Sequence, residues 1–586
     1  MTQKKKPTSV KDKKTKTQKI VSPSTDFHAK IKHIKTTCLP YVKSFGKWFG
    51  IPALIYLVIF FVMQPEYFFN FSNGFFLDTG DGFQNVWNIW WVDQALVNQG
   101  TSPFFTTLLH WPHGINLVPQ TMNIYNALVA IPLAHIFNFS LVEVVNFAVV
   151  FAFIFGGVTM FWFIQKLYGN YWVAVIAGGL FTFSSYHFAH AQGHLQLVSF
   201  EFIPLFLLAF WTLLEKMRYR YALLAALSLF LILLCDYYYL FWSVILGGLW
   251  FLWNLLITKK IRLTAQVIKV MGLFAVLSAA LVGPLLYSLV SLTKHDPLMG
   301  SHDASQFSLD PLSVVMPGGS WYWHSLTDWY TTNIEYFAEA SVFFGFGLIT
   351  LLVIAFIQRF IKKDATMPRW LNFWWIIMIT FGVLALGPHL RTIGRTLDSI
   401  PMPYALLEKL FPTLQISGMP IRWILIALIA AIIIGSYVLT KIDISKRNGQ
   451  ILFAAFVVVS FIDLWPRALP LTPPTRQDYV AALKELPYGA VVDNGALTGT
   501  EQLYNQTLHG KPLAFGYVTR TPKSVEEKDF LIFAAIEEGR IDTLCKQFKI
   551  RYFTTPSSRP IVTSVGVIAY SDKNTLIYDL KNSPEC

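Results

Sequence analysis

The sequence predicts a multi-pass α-helical membrane protein, with about eleven transmembrane helices and a small C-terminal α/β extracytoplasmic domain. Three observations predict it. The 586 residues are 54% apolar and only 14% charged, against about 25% charged in an average soluble protein. Apolar runs close to the ~20 residues that cross a bilayer recur along the chain. Alternate short loops between these runs are basic, so the basic loops share one side, as the positive-inside rule requires.

In chain order, residues 1–48 form a tail with thirteen Lys against Asp12 and Asp26, so the net +13 of the chain is almost all here. Such a Lys-, Thr- and Ser-rich stretch is expected to be disordered and cytoplasmic, touching anionic lipid rather than nucleic acid. The expected crossings lie at about 49–65, 142–164, 171–187, 196–214, 221–236, 238–257, 264–290, 339–357, 370–387, 420–440 and 451–465. With the tail inside, "QKLYGN", "EKMRYR", "TKKIR", "QRFIKKDATMPR" and "KIDISKRNGQ" all fall inside. This bookkeeping requires that "YNALVAIPLAHIF" (125–137) not cross. As a helix it covers only ~20 Å of a ~30 Å core, so it reads as interfacial or re-entrant.

Large outer loops are then expected at about 66–141 and 291–338. After the Pro cluster of "WPRALPLTPPTRQDY", residues 466–586 read as an extracytoplasmic α/β domain. In it, "YVAALKEL" and "VEEKDFLIFAAIEEGRIDTLCKQF" are helices, and "GAVVDNG", "IRYFTT", "TSVGVIAYS" and "TLIYDL" are strands. Of the four Cys, Cys545 and Cys586 share this domain and could pair, and no CxxC spacing points to zinc.

Several polar groups stand at the outer ends of these runs. Asp78 and Asp81, among glycines, precede a helix with Phe83, Val86, Trp87 and Trp90 on one face, which reads as lying in the interface with Trp at headgroup depth. Either acid serves a ligand there or caps the helix. His187, His190 and His194, at i, i+3 and i+7, share a face if helical and could bind a divalent metal or a phosphate headgroup, or be ordinary interfacial histidines. Asp236 caps a helix or faces the site. Glu201 is an intramembrane acid, a functional candidate by its cost. Arg422 clamps a phosphate or snorkels. The aromatics Trp321, Tyr322, Trp323 and Trp329 suit a sugar face or a membrane belt. No Walker loop, HExxH or nucleophile elbow is present, so nucleotide-driven chemistry has no support.

The order of parts is one crossing, a large outer loop opening on an acid, short second and third outer loops, and a long loop after the seventh crossing. With "GDGFQNVWNIWW", "FSSYHFAHAQGHLQL" and "YNQTLHGKPLAFGYVTR", it resembles the GT-C superfamily of integral-membrane glycosyltransferases, in a bacterial and archaeal branch, over about 49–338. The resemblance implies a plasma-membrane glycosyltransferase, hexosyl- or pentosyl- and inverting, which takes a polyprenyl-phosphate-linked sugar to a glycan, lipid or protein acceptor at the outer face. It implies Asp81, with Asp78 second, as the base or acceptor-positioning group. Where many members carry a second acidic motif this chain has histidines, so His187, His190 and His194 are the expected ligands of any divalent metal. His302 and Asp303 would meet the lipid phosphate or sugar. A transporter or flippase of a lipid-linked glycan is the alternative, and it would need a polar route through crossings whose middles are nearly free of charge.

Overall fold

The computed structural model describes residues 2, 43–300, 302–334, 339–411, 414, 418–474, 476–558, 567–582 and 586. Residues 1–52 and 53–586 form two compact units. In the first, the described residues 43–52 are helical, and the expectation of a disordered tail falls almost wholly outside the described residues.

The second unit is mostly helical. A helix stands at each expected crossing. Seven helices among the described residues are long and apolar enough to span a membrane: Lys43–Met63, Leu141–Tyr168, Tyr171–His190, Leu195–Lys216, Tyr237–Ile257, Ala265–His295 and Pro420–Leu439. Tyr219–Cys235, Phe346–Ile361, Leu371–Ala385 and Arg447–Asp463 are shorter, at 17 residues or fewer. Helix Ile124–Phe137 has 14 residues and lies between left-handed Asn123 and Asn138. It is the ~21 Å rod its sequence implies.

Local chemistry sets these boundaries. Ser140 and Glu143 form a reciprocal capping box at the start of Leu141–Tyr168, and Gly169 ends that helix at φ +68. The next helix packs back closely because small residues face each other. A Cβ on Gly178 would collide with the Gly157 carbonyl oxygen and with the Tyr56 hydroxyl, which donates to the Val175 carbonyl (2.8 Å).

Two interruptions shape the functional region. The third crossing stops at Thr182 and restarts as Ser185–His190, and a turn through Gly193 leads into the short helix Leu195–Val198. The three histidines therefore do not share one continuous helical face. A second break at Ser199–Glu201 precedes Phe202–Lys216, and Glu201 is fully buried there.

Helix Asp81–Asp93 differs from its expected interfacial placement. Phe83, Val86, Trp87 and Trp91 are buried in protein, and so are Asn85 and Asn88 on the polar face. The reason is the C-terminal segment, which covers it. Trp87 Nε1 donates to Gln506 Oε1 (2.6 Å), and Phe83 stacks on Tyr504 at 4.6 Å.

That segment is α/β. Its four-stranded sheet has the spatial order Ala490–Asp493, Ile550–Pro556, Thr575–Asp579, Val567–Ser571, the first pair parallel and the others antiparallel. Helix Lys523–Glu537 covers it through Ile532 and Ala535, which pack with Val492, Leu544 and Phe553. The long helix expected over 525–548 is divided instead, because Gly539 turns left-handed at φ +66 before Thr543–Gln547. Cys545 and Cys586 form a disulfide. The segment belongs to the same compact unit as the helices.

Candidate functional site

The two acids of the first loop have different tasks. Asp78 Oδ1 accepts the backbone N–H of Gly80 (2.9 Å) and Gly82 (3.1 Å), which closes the turn entering helix Asp81–Asp93. Capping thus falls to Asp78, and Asp81 is released from it. Asp78 also lies against the histidine turn: its N–H donates to the Gln192 carbonyl (2.6 Å), and a Cβ on Gly193 would lie 2.7 Å from its Oδ2. Only glycine allows this approach. Asn85 fastens the same turn by donating to the Gly193 carbonyl (2.9 Å).

This docking brings Asp81 Oδ2 within 2.8 Å of His194 Nε2. His190, one turn back, is fully buried, with its Nε2 3.7 Å from Glu339 Oε2. Glu339 in turn accepts from Arg422 Nη2 (2.5 Å) and Nε (3.3 Å). The Arg422 guanidinium lies 5.4 Å from the centre of the Tyr238 ring. On the opposite side, the Tyr517 hydroxyl donates to Asp81 Oδ1 at 3.4 Å. The first loop, the histidine turn, the long loop, the helix from Pro420 and the C-terminal segment all converge here. His190, His194 and Glu339 each offer a ligand atom, all within 4.8 Å of one another.

Burial alone would raise the Asp81 carboxyl, but the His194 hydrogen bond and charge, with Arg422 beyond, hold it below the usual range. Burial likewise opposes the His194 proton, and Asp81 and Glu339 outweigh it, so His194 titrates above its ordinary value. Burial raises Asp78. Glu339 lies well below the carboxylate range, because Arg422 and His190 outweigh its burial.

These directions fix a pH window. The raised His194 contributes stability that is complete below about 6.5 and lost as pH rises through its folded value. The lowered Asp81 contributes stability that is complete above about 3.9 and lost as pH falls through its folded value. With divalent cations chelated, the contribution of this pair to the thermal midpoint in detergent is expected to be largest between these limits. His194→Gln should remove the alkaline decline attributable to the pair. An identical alkaline profile in that variant contradicts the pairing.

The other sequence candidates lie elsewhere or do other work. His187 is not a ligand in this geometry. Its Nδ1 faces the Thr182 carbonyl (2.7 Å) and its Nε2 the Val198 carbonyl (3.0 Å), so both nitrogens are committed to backbone, and its ring stacks on Phe153. Asp236 is buried and caps helix Tyr237–Leu252 through the N–H groups of Tyr238 and Tyr239. Asp303 is exposed and closes its own turn by accepting from Ser305 N–H, so it is not brought into the cluster. His302 lies at the margin, half-buried, with burial and the Arg520 charge lowering its pKa. Arg422 is in the cluster, but Glu339 engages it.

Two members escape the sequence reading. Glu339 stands at the first residue of an expected crossing, 339–357, whereas the helix begins at Phe346 after Gly345 at φ +88. That glycine is the available signal for the later start. Tyr517 lies inside the quoted segment 504–520, but nothing local ties it to Asp81.

The family described as Domain of unknown function (DUF6311) matches residues 53–465. No curated protein matches the chain in sequence. Among solved structures, a mutant form of the arabinofuranosyltransferase AftD from Mycobacteria aligns with TM-score 0.52 at 12% identity, over 91% of this chain and 41% of that one. ArnT from Cupriavidus metallidurans, bound to undecaprenyl phosphate, aligns with TM-score 0.46 at 11% identity, over 91% of this chain and 98% of that one. The Archaeoglobus fulgidus oligosaccharyltransferase, in complex with Zn and sulfate, aligns with TM-score 0.48 at 10% identity, over 86% and 68%. The chain spans less than half the length of AftD. The likeness to AftD shows that the two chains share a fold.

Proposed function

The chain belongs to the DUF6311 family, and on that premise and its resemblance to the GT-C superfamily we propose that it is a membrane glycosyltransferase that moves a sugar from a polyprenyl-phosphate-linked donor to an acceptor hydroxyl. The observation that carries this reading is the Asp81–His194 pair at a water-facing mouth, backed by the buried Glu339–Arg422 pair.

Asp81, kept ionised by His194, accepts the proton of the acceptor hydroxyl. The acceptor oxygen bonds to the anomeric carbon as the bond from that carbon to the lipid phosphate breaks, so configuration inverts and polyprenyl phosphate leaves. Arg422 supplies fixed positive charge behind the leaving group, and Glu339 fixes its orientation. Phosphate is already a good leaving group, so no acid is required on that side.

A divalent cation fits beside this arrangement. Both ring nitrogens of His190 are buried without a hydrogen-bond partner, and imidazole with carboxylate suits a borderline cation. His190, Glu339 and the second ring nitrogen of His194 would hold it, with Asp81 orienting His194 from outside. Such an ion would offset charge on the leaving phosphate. Metal content by mass spectrometry should approach one ion per chain and fall in His190→Ala. Equal content in both contradicts these ligands.

The protein is read as a plasma-membrane enzyme with a cytoplasmic N-terminus and the C-terminal segment outside. The Cys545–Cys586 disulfide supports that side, since disulfides persist in oxidising compartments. The test of function is incubation of the purified protein with radiolabelled polyprenyl-phosphate sugars and an acceptor extract. Label in a new product supports transfer. Passage of the lipid across vesicles without a new product replaces this reading with a transporter.

A further inference from the structure

The segment 511–524 runs as a strap over the mouth of the site. At one end it is fastened to the first loop: Leu513 N–H donates to the Leu108 carbonyl (2.8 Å), and Trp111 N–H donates to the Leu513 carbonyl (3.0 Å). Midway, Gly516 passes so close to His110 that a Cβ would lie 2.9 Å from Nε2. Beyond Tyr517, Thr519 N–H donates to Gln120 Oε1 (3.0 Å). At the other end Thr521–Pro522 pairs with Leu298–Met299 of the long loop, and Ser524 N–H donates to Asp296 Oδ1 (3.0 Å). Fastenings on two loops hold the backbone on either side of Tyr517 in place.

The exposure of the cluster is graded toward this strap. His190 is 0% exposed, Glu339 7% and Arg422 9%, whereas Tyr517 is 41% exposed. The Asp81 side chain is 36% exposed. The exposed side of the cluster is the Tyr517 side. An acceptor arriving from water meets an aromatic face and a carboxylate together.

Resting on the glycosyltransferase reading, we infer that Tyr517 is the acceptor platform and that the acceptor is a saccharide, its ring packed on the Tyr517 face and one hydroxyl directed to Asp81. The C–H groups on one face of a sugar ring pack on an aromatic surface, and its hydroxyls donate to a carboxylate. The hydroxyl to be glycosylated takes a place at Asp81 Oδ1, where the 3.4 Å Tyr517 contact is long enough to yield. Asp81 Oδ2 stays with His194. A peptide bound by strand addition would use an open strand edge, and the edge of the strap at Thr521–Pro522 is already paired with the long loop.

The experiment uses the full chain in lipid nanodiscs. A panel of methyl glycosides and di- to tetrasaccharides of hexoses and pentoses, and a panel of neutral hexapeptides, are screened by saturation-transfer difference NMR. At least one saccharide should bind, with transfer strongest at its ring C–H protons. Its affinity should fall about fivefold or more in Tyr517→Ala, the loss of a buried aromatic contact of over 1 kcal/mol. Tyr517→Phe, which keeps the ring, should retain most of it. Absence of saccharide binding, equal binding by Tyr517→Ala, or selective binding of the peptides overturns the inference. Sugar transfer by the wild type with an unchanged acceptor KM in Tyr517→Ala overturns it while leaving the glycosyltransferase reading intact. Saccharide binding through Tyr517 with no transfer from any polyprenyl donor has the reverse meaning.

Discussion

Asp81→Asn is expected to lower sugar transfer by about 10²–10⁴-fold, the usual contribution of a positioned proton acceptor, while expression and folding are retained. The substitution keeps the side-chain shape and one carbonyl oxygen toward His194 Nε2, but removes the charge that receives the acceptor proton. It also weakens the interaction that raises the His194 pKa against its burial. Asp78→Asn is the informative comparison. Asp78 caps the turn rather than facing His194, and an Asn amide oxygen can still accept from the Gly80 and Gly82 N–H groups, so the substitution should cost well under ~1 kcal/mol of stability and reduce transfer far less. The measurement is initial rate with labelled donor, alongside the thermal midpoint of each variant. Full activity in Asp81→Asn, or a greater rate loss in Asp78→Asn at equal stability, would reverse the assignment of the two acids.

The second large effect is on stability. Arg422 and Glu339 are both buried and joined through two nitrogens. Removing one partner of such a pair strands the other charge, at a cost of about 3–5 kcal/mol. Arg422→Met should therefore lower the midpoint of denaturant unfolding in detergent sharply. Adding Glu339→Leu to it should recover most of the loss, because an apolar pair of similar volume can replace a buried ion pair. A double variant as unstable as the sum of the singles would mean that the two residues act independently, contrary to their 2.5 Å contact.

The parts of the fold that follow from composition are legible in the sequence. Length and apolar content locate the helices, and the Pro cluster after Trp465 marks the change to α/β structure. Boundaries fail where a backbone turn overrides an apolar run. The third crossing breaks at Phe183, the helix after Glu339 waits for Gly345, and Gly539 splits a helix whose pattern is otherwise continuous. The site is legible only in part. Asp81 and the histidines are marked by their place at the ends of apolar runs, a local property. Arg422 is marked in the same way, by the start of its apolar run, but Glu339 and Tyr517 are not, because they reach the site from 145 and 323 residues beyond His194 in the chain. The aromatic stretch after Gly82 suggests lipid for the same reason: a Trp-rich face suits a headgroup layer or a protein surface equally, and only the distant Tyr504 and Gln506 decide for protein.

In the proposed topology the first-loop acids and the C-terminal strap share one aqueous side, opposite the basic loop at Lys446. Membrane-impermeant thiol labelling of intact cells tests it most directly, using single cysteines at exposed Thr79, Leu497 or Lys446, with Cys38 replaced by Ser and Cys235 left buried. Thr79→Cys and Leu497→Cys are expected to be labelled from outside, and Lys446→Cys only after permeabilisation. Labelling of Lys446→Cys together with Thr79→Cys in intact cells, or protection of Leu497→Cys when Thr79→Cys reacts, would contradict it.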